Sequence, residues 1–405
     1  MTTTEQNFYN ILSEALFEKQ TELVNPVDYD AILEIAARHQ LFALVFEKLC
    51  EDSIFKATQL YSKAKMNVML KVIGQAQRTN IFLDVYKKLN EQGIYPIVMK
   101  GIICRMLYGK YADHRPSSDE DILVLPEDFH KTCEFFKSEG YDSNMNPDEV
   151  DLNNLQAISF FNNNGGHFEV HVNPIGKGNE LSSLMDSYFH DVFKDSIEFE
   201  INGVKIKCMS HTNHFLFLIF HAYRHFIGSG FGVRQVIDML LYENEYESQI
   251  DWDYIHSALE KTHSQSFFAD LVSIGNTYLG FSLPIHEKEC CPDDLLEDLM
   301  SNGIFGNDTN AKVMAGTMTS MAVKNSEGSA AESGTLLKTI FPSKKYMLRD
   351  NPELNEKPWR LPVAWVQRWG RFIKRNKING GNLAGESMEI GNRRIELLKK
   401  YGIVK

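Results

Sequence analysis

The sequence predicts an α+β protein in which a central α/β unit is held between helical regions. Two patterns carry this prediction. Apolar residues recur at helical spacing through residues 5–92 and again from Ser210 onward, while between them short apolar runs alternate with turn signals. Composition agrees: 43% hydrophobic and 24% charged residues over 405 positions describe a globular chain long enough for two or three domains. The regions divide as 1–92 helical, 93–208 α/β, 209–340 helical and 341–405 a basic helical tail.

In the first region Tyr29, Ile32, Leu33, Ile35 and Ala36 form a helical stripe, with Pro26 and Asp28 as start signals. A longer helix over 57–92 ends at Gly93, a suitable C-cap. His39, beside Leu41 and Phe42, reads as a satisfied histidine at the edge of the core. In the central unit, the run Ile97-Val98-Met99 turns through Lys100-Gly101 into a short helical segment. A second apolar run, headed by carboxylates, follows at Asp119–Val124. Pro126-Glu127-Asp128 opens a helix that ends at Gly140. Residues 141–150 read as an exposed connection, 155–161 as a strand, 162–166 as a tight turn and 167–172 as its hairpin partner. Beyond Ser210 come helices over 215–226, around Arg234 and Asp238, from Asp251, and over 267–279. A small-residue linker at 306–333 precedes a tail carrying Trp359, Trp365 and Trp369.

A net charge of −12 excludes a protein that coats nucleic acid non-specifically, so an extended nucleic acid is not an expected partner. The basic tail leaves room for an anionic surface or a tRNA-sized partner, although a solvated or packed helix face is the simpler reading. Six cysteines without C-x-x-C spacing point to a reducing, cytoplasmic setting rather than to zinc or disulfides. The N-terminus lacks signal-peptide character, and the longest apolar run, 215–220, is too short to span a bilayer.

Strand alternation places Asp119 and Asp121 on one side, with Ile122 and Val124 on the other. Two carboxylates about 5 Å apart repel by roughly 3 kcal/mol at an effective dielectric near 20, and a divalent cation converts that repulsion into chelation. Hard oxygen ligands favour magnesium or manganese over zinc. Spacing alone fits a polar turn entering a strand equally well. A third acid, Glu169, shares one face of the alternating run 167–172 with His167 and His171. Lys100, beside Gly101 at a helix start, can set its ammonium and backbone N–H groups against phosphate; Arg115 offers five donors. Their bland alternatives are a solvent-reaching lysine and a turn arginine. His221 and His225 share a helix face, but no Glu follows His221 as H-E-x-x-H requires. Arg234 and Asp238, also four apart, can face them as a polar wall of the cleft or simply pair between helices.

Taken in order, Met99-Lys100-Gly101, Leu107-Tyr108, Arg115–Val124, Gly140-Tyr141 and Phe168–His171 resemble the uncharacterised nucleotidyltransferase family of the DNA polymerase β-like superfamily. The likeness extends to Ala36–His39 and Gly232–Asp238. The resemblance implies a small mixed sheet flanked by helices. It implies that Asp119, Asp121 and Glu169 hold two Mg2+ (or Mn2+) ions, and that Lys100, Gly101, Arg115, Ser117 and Ser118 surround an NTP such as ATP. The implied reaction moves NMP to a hydroxyl acceptor (a sugar, small molecule or protein) and releases pyrophosphate. Two residues depart from the superfamily pattern: Lys100-Gly101 stands where Gly-Ser or Gly-Gly is common, and Glu120 where the residue between the acids is usually apolar. The alternatives are a degenerate nucleotide-binding or scaffold protein and a kinase-like phosphotransferase. A lysine or arginine filling the space between the acids, or Glu169 turned away from them, would remove the basis for transfer.

Overall fold

The computed structural model describes residues 1–19, 21–153, 155–177, 179–228, 230–302, 344–347, 354, 357–367 and 383–404. They fall into two compact units, Met1–Tyr223 with Gly232–Pro292, and Arg224–Phe231 with Asp293–Lys405. The first unit is built on a seven-stranded mixed sheet. Its strands are β1 (Ile97–Met99), β2 (Glu120–Leu123), β3 (Asp142–Ser143), β4 (Ala157–Phe161), β5 (His167–His171), β6 (Ile197–Ile201) and β7 (Val204–Cys208). The spatial order is β3-β4-β5-β2-β1-β7-β6. β2 lies at the centre, antiparallel to β1 and parallel to β5, in a register that sets Asp121 beside Glu169.

One face of this sheet is aromatic. Phe168 of β5 packs against Phe82 of helix α5 (Gln59–Glu91), against Phe136 of helix α7 (Phe129–Ser138) and against Tyr141, with ring centroids 5.1–6.1 Å apart. Alternation in β5 therefore assigns Phe168 and Val170 to the core and Glu169 to the opposite, polar side. Tyr86 of α5 ties the helix to the sheet: its hydroxyl accepts from Lys207 N at 2.8 Å and donates to Pro96 O at 3.0 Å. The N-terminal helices α1 (Thr3–Phe17), α2 (Tyr29–Arg38) and α3 (Phe42–Leu49) bury Phe8, Leu12, Ile32, Leu41 and Val45. His39 is buried with them and accepts from Val233 N at 3.2 Å, fixing the start of helix α10 (Val233–Tyr246).

The helix expected over 57–92 is α5, and the hairpin expected around 162–166 is β4–β5. Two strand pairings depart from the sequence reading. The connection at 141–150 contains the short β3, paired with β4. A β6–β7 hairpin closes the far edge, turning at Asn202 and Gly203, both at positive φ (48° and 76°), the geometry of a two-residue hairpin turn.

In the second unit the C-terminal helix Leu383–Lys400 pairs with the helix Pro292–Asn302. Arg394 reaches both oxygens of Asp298 within 2.6 Å and Arg393 reaches Glu297 at 2.6 Å, so part of the basic tail is neutralised by acids of its own unit. Met347, Leu354 and Ala364 form a small core with Leu361 and Trp365. The linker expected at 306–333 and Trp369 lie outside the described residues. Among the described residues no helix is long and apolar enough to cross a membrane.

The aromatic face makes a stability prediction. Phe168→Ala, at a side chain 2% exposed, is expected to cost about 3–5 kcal/mol by urea denaturation. Phe161→Ala, on the same hairpin but 43% exposed, is expected to cost about 0.5 kcal/mol. Equal losses would mean that the sheet buries the other face.

Candidate functional site

Between β1 and the short helix α6 (Gly101–Met106) the chain reverses through two residues at positive φ, Lys100 at 32° and Gly101 at 37°. Glycine is required at the second position, because a Cβ there would collide with Glu120 Oε2. Glu120 holds the turn from inside the protein. Its Oε2 accepts from Ile102 N at 3.1 Å and its Oε1 pairs with Arg105 at 2.6 Å, both side chains being buried. From the other side, Lys100 N donates to His214 Nε2 at 3.1 Å. The sequence reading had offered these backbone N–H groups to phosphate. The structure commits the Lys100 N–H to His214 and the Ile102 N–H to Glu120.

The acids on the opposite side of β2 converge on the cleft. Asp121 and Glu169 face each other across the β2–β5 register, and His171 Nε2 lies 3.0 Å from Asp121 Oδ1 and 3.6 Å from Glu169 Oε2. One donor atom from each of Asp121, Glu169 and His171 lies within 4.8 Å of the others, a spacing that can hold a metal ion. Asp119 lines the same cleft outside that cluster and accepts from Ser118 Oγ at 3.1 Å. Lys100 Nζ stands 3.1 Å from the buried Asp121 Oδ2, an ion pair.

The electrostatics follow from this crowding. Burial opposes the charge of Lys100, yet Asp121, Asp119 and Glu169 together raise its pKa. Burial pushes Asp121 up, but Lys100 and the His171 hydrogen bond outweigh it and hold the carboxyl below its usual range. Asp119 goes the other way, raised by burial and by Asp121, with Glu169 adding to the rise against the pull of Lys100. Burial works against protonation of His171, while hydrogen bonds to Asp121 and Glu169 raise its pKa. One ammonium thus acts on three carboxylates at once.

A cleft of about 50 Å³ opens here, lined among others by Lys100, Ser118, Asp119, Asp121, His221 and Arg234. Arg115, expected beside phosphate, lines this cleft as well, with its guanidinium already paired. It is 3% exposed, pairs with Asp238 through Nε at 3.1 Å and Nη2 at 2.6 Å, and reaches Gly101 O and Ser117 Oγ from Nη1. Tyr108 donates to the same Asp238 at 2.8 Å. Asp238 therefore anchors α10 to the turn. Ser117 is structural as well, its N–H bound to Gln75 Oε1 and its hydroxyl to Asp119 O. His225 falls one turn beyond His221, in the second compact unit. Glu120, Arg105, Gln75 and His214 were not singled out from sequence as site residues; only Glu120 carried a signal, as an acid facing away from its neighbours.

A family model described as an uncharacterised nucleotidyltransferase matches residues 25–280. No curated protein and no solved structure matches the chain.

Two measurements check this geometry. Breaking the buried pair by Asp238→Ala is expected to cost about 3–5 kcal/mol in chemical denaturation, because Arg115 would be left charged and unpaired. A loss below about 1 kcal/mol would show that Arg115 finds solvent. His214, whose Nε2 must stay unprotonated to accept from Lys100 N, is pushed by burial down to about 3. Its folded pKa is below the unfolded value, so its contribution is complete above about pH 6.5 and is lost as pH falls toward 3. Between pH 7 and 5 the wild type is expected to lose about 2 kcal/mol more stability than His214→Gln, measured by denaturation at both pH values.

Proposed function

The chain belongs to the uncharacterised nucleotidyltransferase family, and from that premise we propose that it moves NMP from an NTP such as ATP to a hydroxyl acceptor, releasing pyrophosphate, in a metal-dependent reaction. The observation that supports this reading is that Asp119 and Asp121 line one cleft, that Glu169 stands beside Asp121 in the β2–β5 register, and that all three act on the Lys100 ammonium. The donor set suits a hard divalent cation. Carboxylate oxygens of Asp121 and Glu169 dominate it, with one imidazole nitrogen from His171.

Asp119, Asp121 and Glu169 are the residues that would hold the ions, Mg2+ or Mn2+. His171 would fix the orientation of Asp121 through its hydrogen bond. Bound ions would lower the pKa of the acceptor hydroxyl and offset charge on the α-phosphate and pyrophosphate. Glu169, the least buried member of the cluster, is the base we assign to the acceptor proton. The bond formed joins the acceptor oxygen to the α-phosphorus, and the bond broken joins that phosphorus to the bridging oxygen of the leaving pyrophosphate. A sugar, a small molecule or a protein hydroxyl fits this chemistry. The six cysteines, without C-x-x-C spacing, support a cytoplasmic setting.

One observation favours a second reading, a nucleotide-binding module without transfer: Lys100 already contacts Asp121, the arrangement that counts against a metal at this place. Product analysis separates the two. Incubation with magnesium and α-labelled NTP is expected to yield pyrophosphate and a labelled acceptor. Thermal stabilisation by NTP without either product would favour the binding module, and release of NDP would assign phosphoryl transfer. Asp121→Asn is expected to abolish Mn2+ binding in calorimetry together with transfer, while His171→Ala weakens metal affinity by about 10- to 100-fold. Unchanged Mn2+ affinity in Asp121→Asn would refute the assignment.

A further inference from the structure

We propose that Arg234 grips the phosphate chain of the nucleotide at the wall of the cleft that Asp119 and Asp121 also line, and that Arg115 is a structural cation. The inference rests on the nucleotidyl-transfer reading for the identity of the ligand, and on separate observations for the residue.

Both arginines are expected near the site from sequence; the structure gives them different surroundings. Arg115 is saturated by Asp238, Gly101 O and Ser117 Oγ. Among the described residues no carboxylate lies within ion-pair distance of Arg234. Its Nη1 donates to Pro116 O, and its buried Nε has no partner. The guanidinium still lines the cleft that Lys100, Asp119 and Asp121 line. Burial, with the neighbouring Arg115, pulls its pKa down to about 10, so the charge is held at a cost that an anion in the cleft would remove.

Position and size agree with an anion of the phosphate class. Arg234 is the second residue of the 14-residue α10, whose start is fixed by His39 on Val233 N and by Gln235 Oε1 on Gly232 N. The guanidinium therefore projects from a fixed support, near the positive end of the helix dipole. At about 10–15 Å³ for each water-sized group, the space of about 50 Å³ holds about four such groups. That is the scale of one phosphoryl group, so the remaining phosphates and the nucleoside would lie at the mouth. A planar fork matches phosphate oxygens in pairs, which a lysine does not. The acids then face the reacting phosphate while Arg234 takes the leaving end.

The test is calorimetric titration of the full chain with inorganic tripolyphosphate at fixed magnesium, comparing wild type, Arg234→Gln and Arg234→Lys. Wild type is expected to bind. Arg234→Gln is expected to bind about tenfold or more weakly, with its Mn2+ affinity kept and the KM for NTP raised more than kcat is lowered. Arg234→Lys should fall between, and it decides the matter if Arg234→Gln fails to fold: affinity equal to wild type then overturns the assignment. Absence of wild-type binding, or Arg234→Gln within twofold of wild type, also overturns it. Loss of tripolyphosphate binding in Arg234→Gln, from a wild type that releases no pyrophosphate with any NTP, would sustain the anion site and sink nucleotidyl transfer. Transfer unaffected by Arg234→Gln would sink the inference alone.

Discussion

The reversal at Lys100-Gly101 is the constraint on which the rest of the cleft depends. Lys100, a residue with a Cβ held at positive φ, costs on the order of 1–3 kcal/mol and persists only where the surroundings over-determine it, whereas Gly101 takes positive φ freely. Here Glu120 takes the N–H of Ile102, His214 takes the N–H of Lys100, and Arg115 reaches the carbonyl of Gly101. Each support comes from a different part of the chain: the central strand, a later helix and the loop before β2. The turn is the product of tertiary structure, and it delivers the lysine side chain to the acids with its backbone already fixed.

The same economy of charge explains how β2 tolerates consecutive acids. Alternation sends Glu120 to one side and Asp119 and Asp121 to the other, so three neighbours in sequence meet three different environments. Glu120 has Arg105 as a buried partner, Asp121 has Lys100 and His171, and Asp119 is left with a serine hydroxyl. A buried ion pair adds little net stability once desolvation is counted, but removing one partner is expensive. The Arg105–Glu120 and Arg115–Asp238 pairs therefore act as constraints on geometry, each penalising any rearrangement that would separate its charges. They fix the turn and the start of α10, the two elements that carry Lys100 and Arg234.

Much of this was legible in the sequence, and the limits have a physical origin. Periodicity revealed α5, the β4–β5 hairpin and the facing of Asp121 and Glu169, because period reports which side a residue takes. The β6–β7 hairpin carried the Asn202-Gly203 signal and was readable, but the alternation in β6 puts acids between apolar residues, which resembles an exposed segment. Partners are another matter. Arg115 meets a residue 123 positions away, and nothing local separates an arginine bound for a carboxylate from one bound for a phosphate. Glu120 was visible as an exception to a pattern, while Arg105, its reason, was hidden in a short helix.

Lys100 remains the residue on which the chemistry turns. Among the described residues its ammonium lies within ion-pair distance of Asp121 Oδ2 alone, while Asp119 and Glu169 act on it from farther off. The backbone at this position is held by His214, whereas the side chain is 20% exposed on a flexible four-carbon stem. An ammonium so placed can leave Asp121 for an arriving phosphate without disturbing the turn, since none of the bonds that hold the turn passes through it. A cation of higher charge binding the acids would favour that exchange twice, by replacing the ammonium at Asp121 and by repelling it toward the nucleotide. An ion pair that at first sight closes the metal site is thus compatible with opening it.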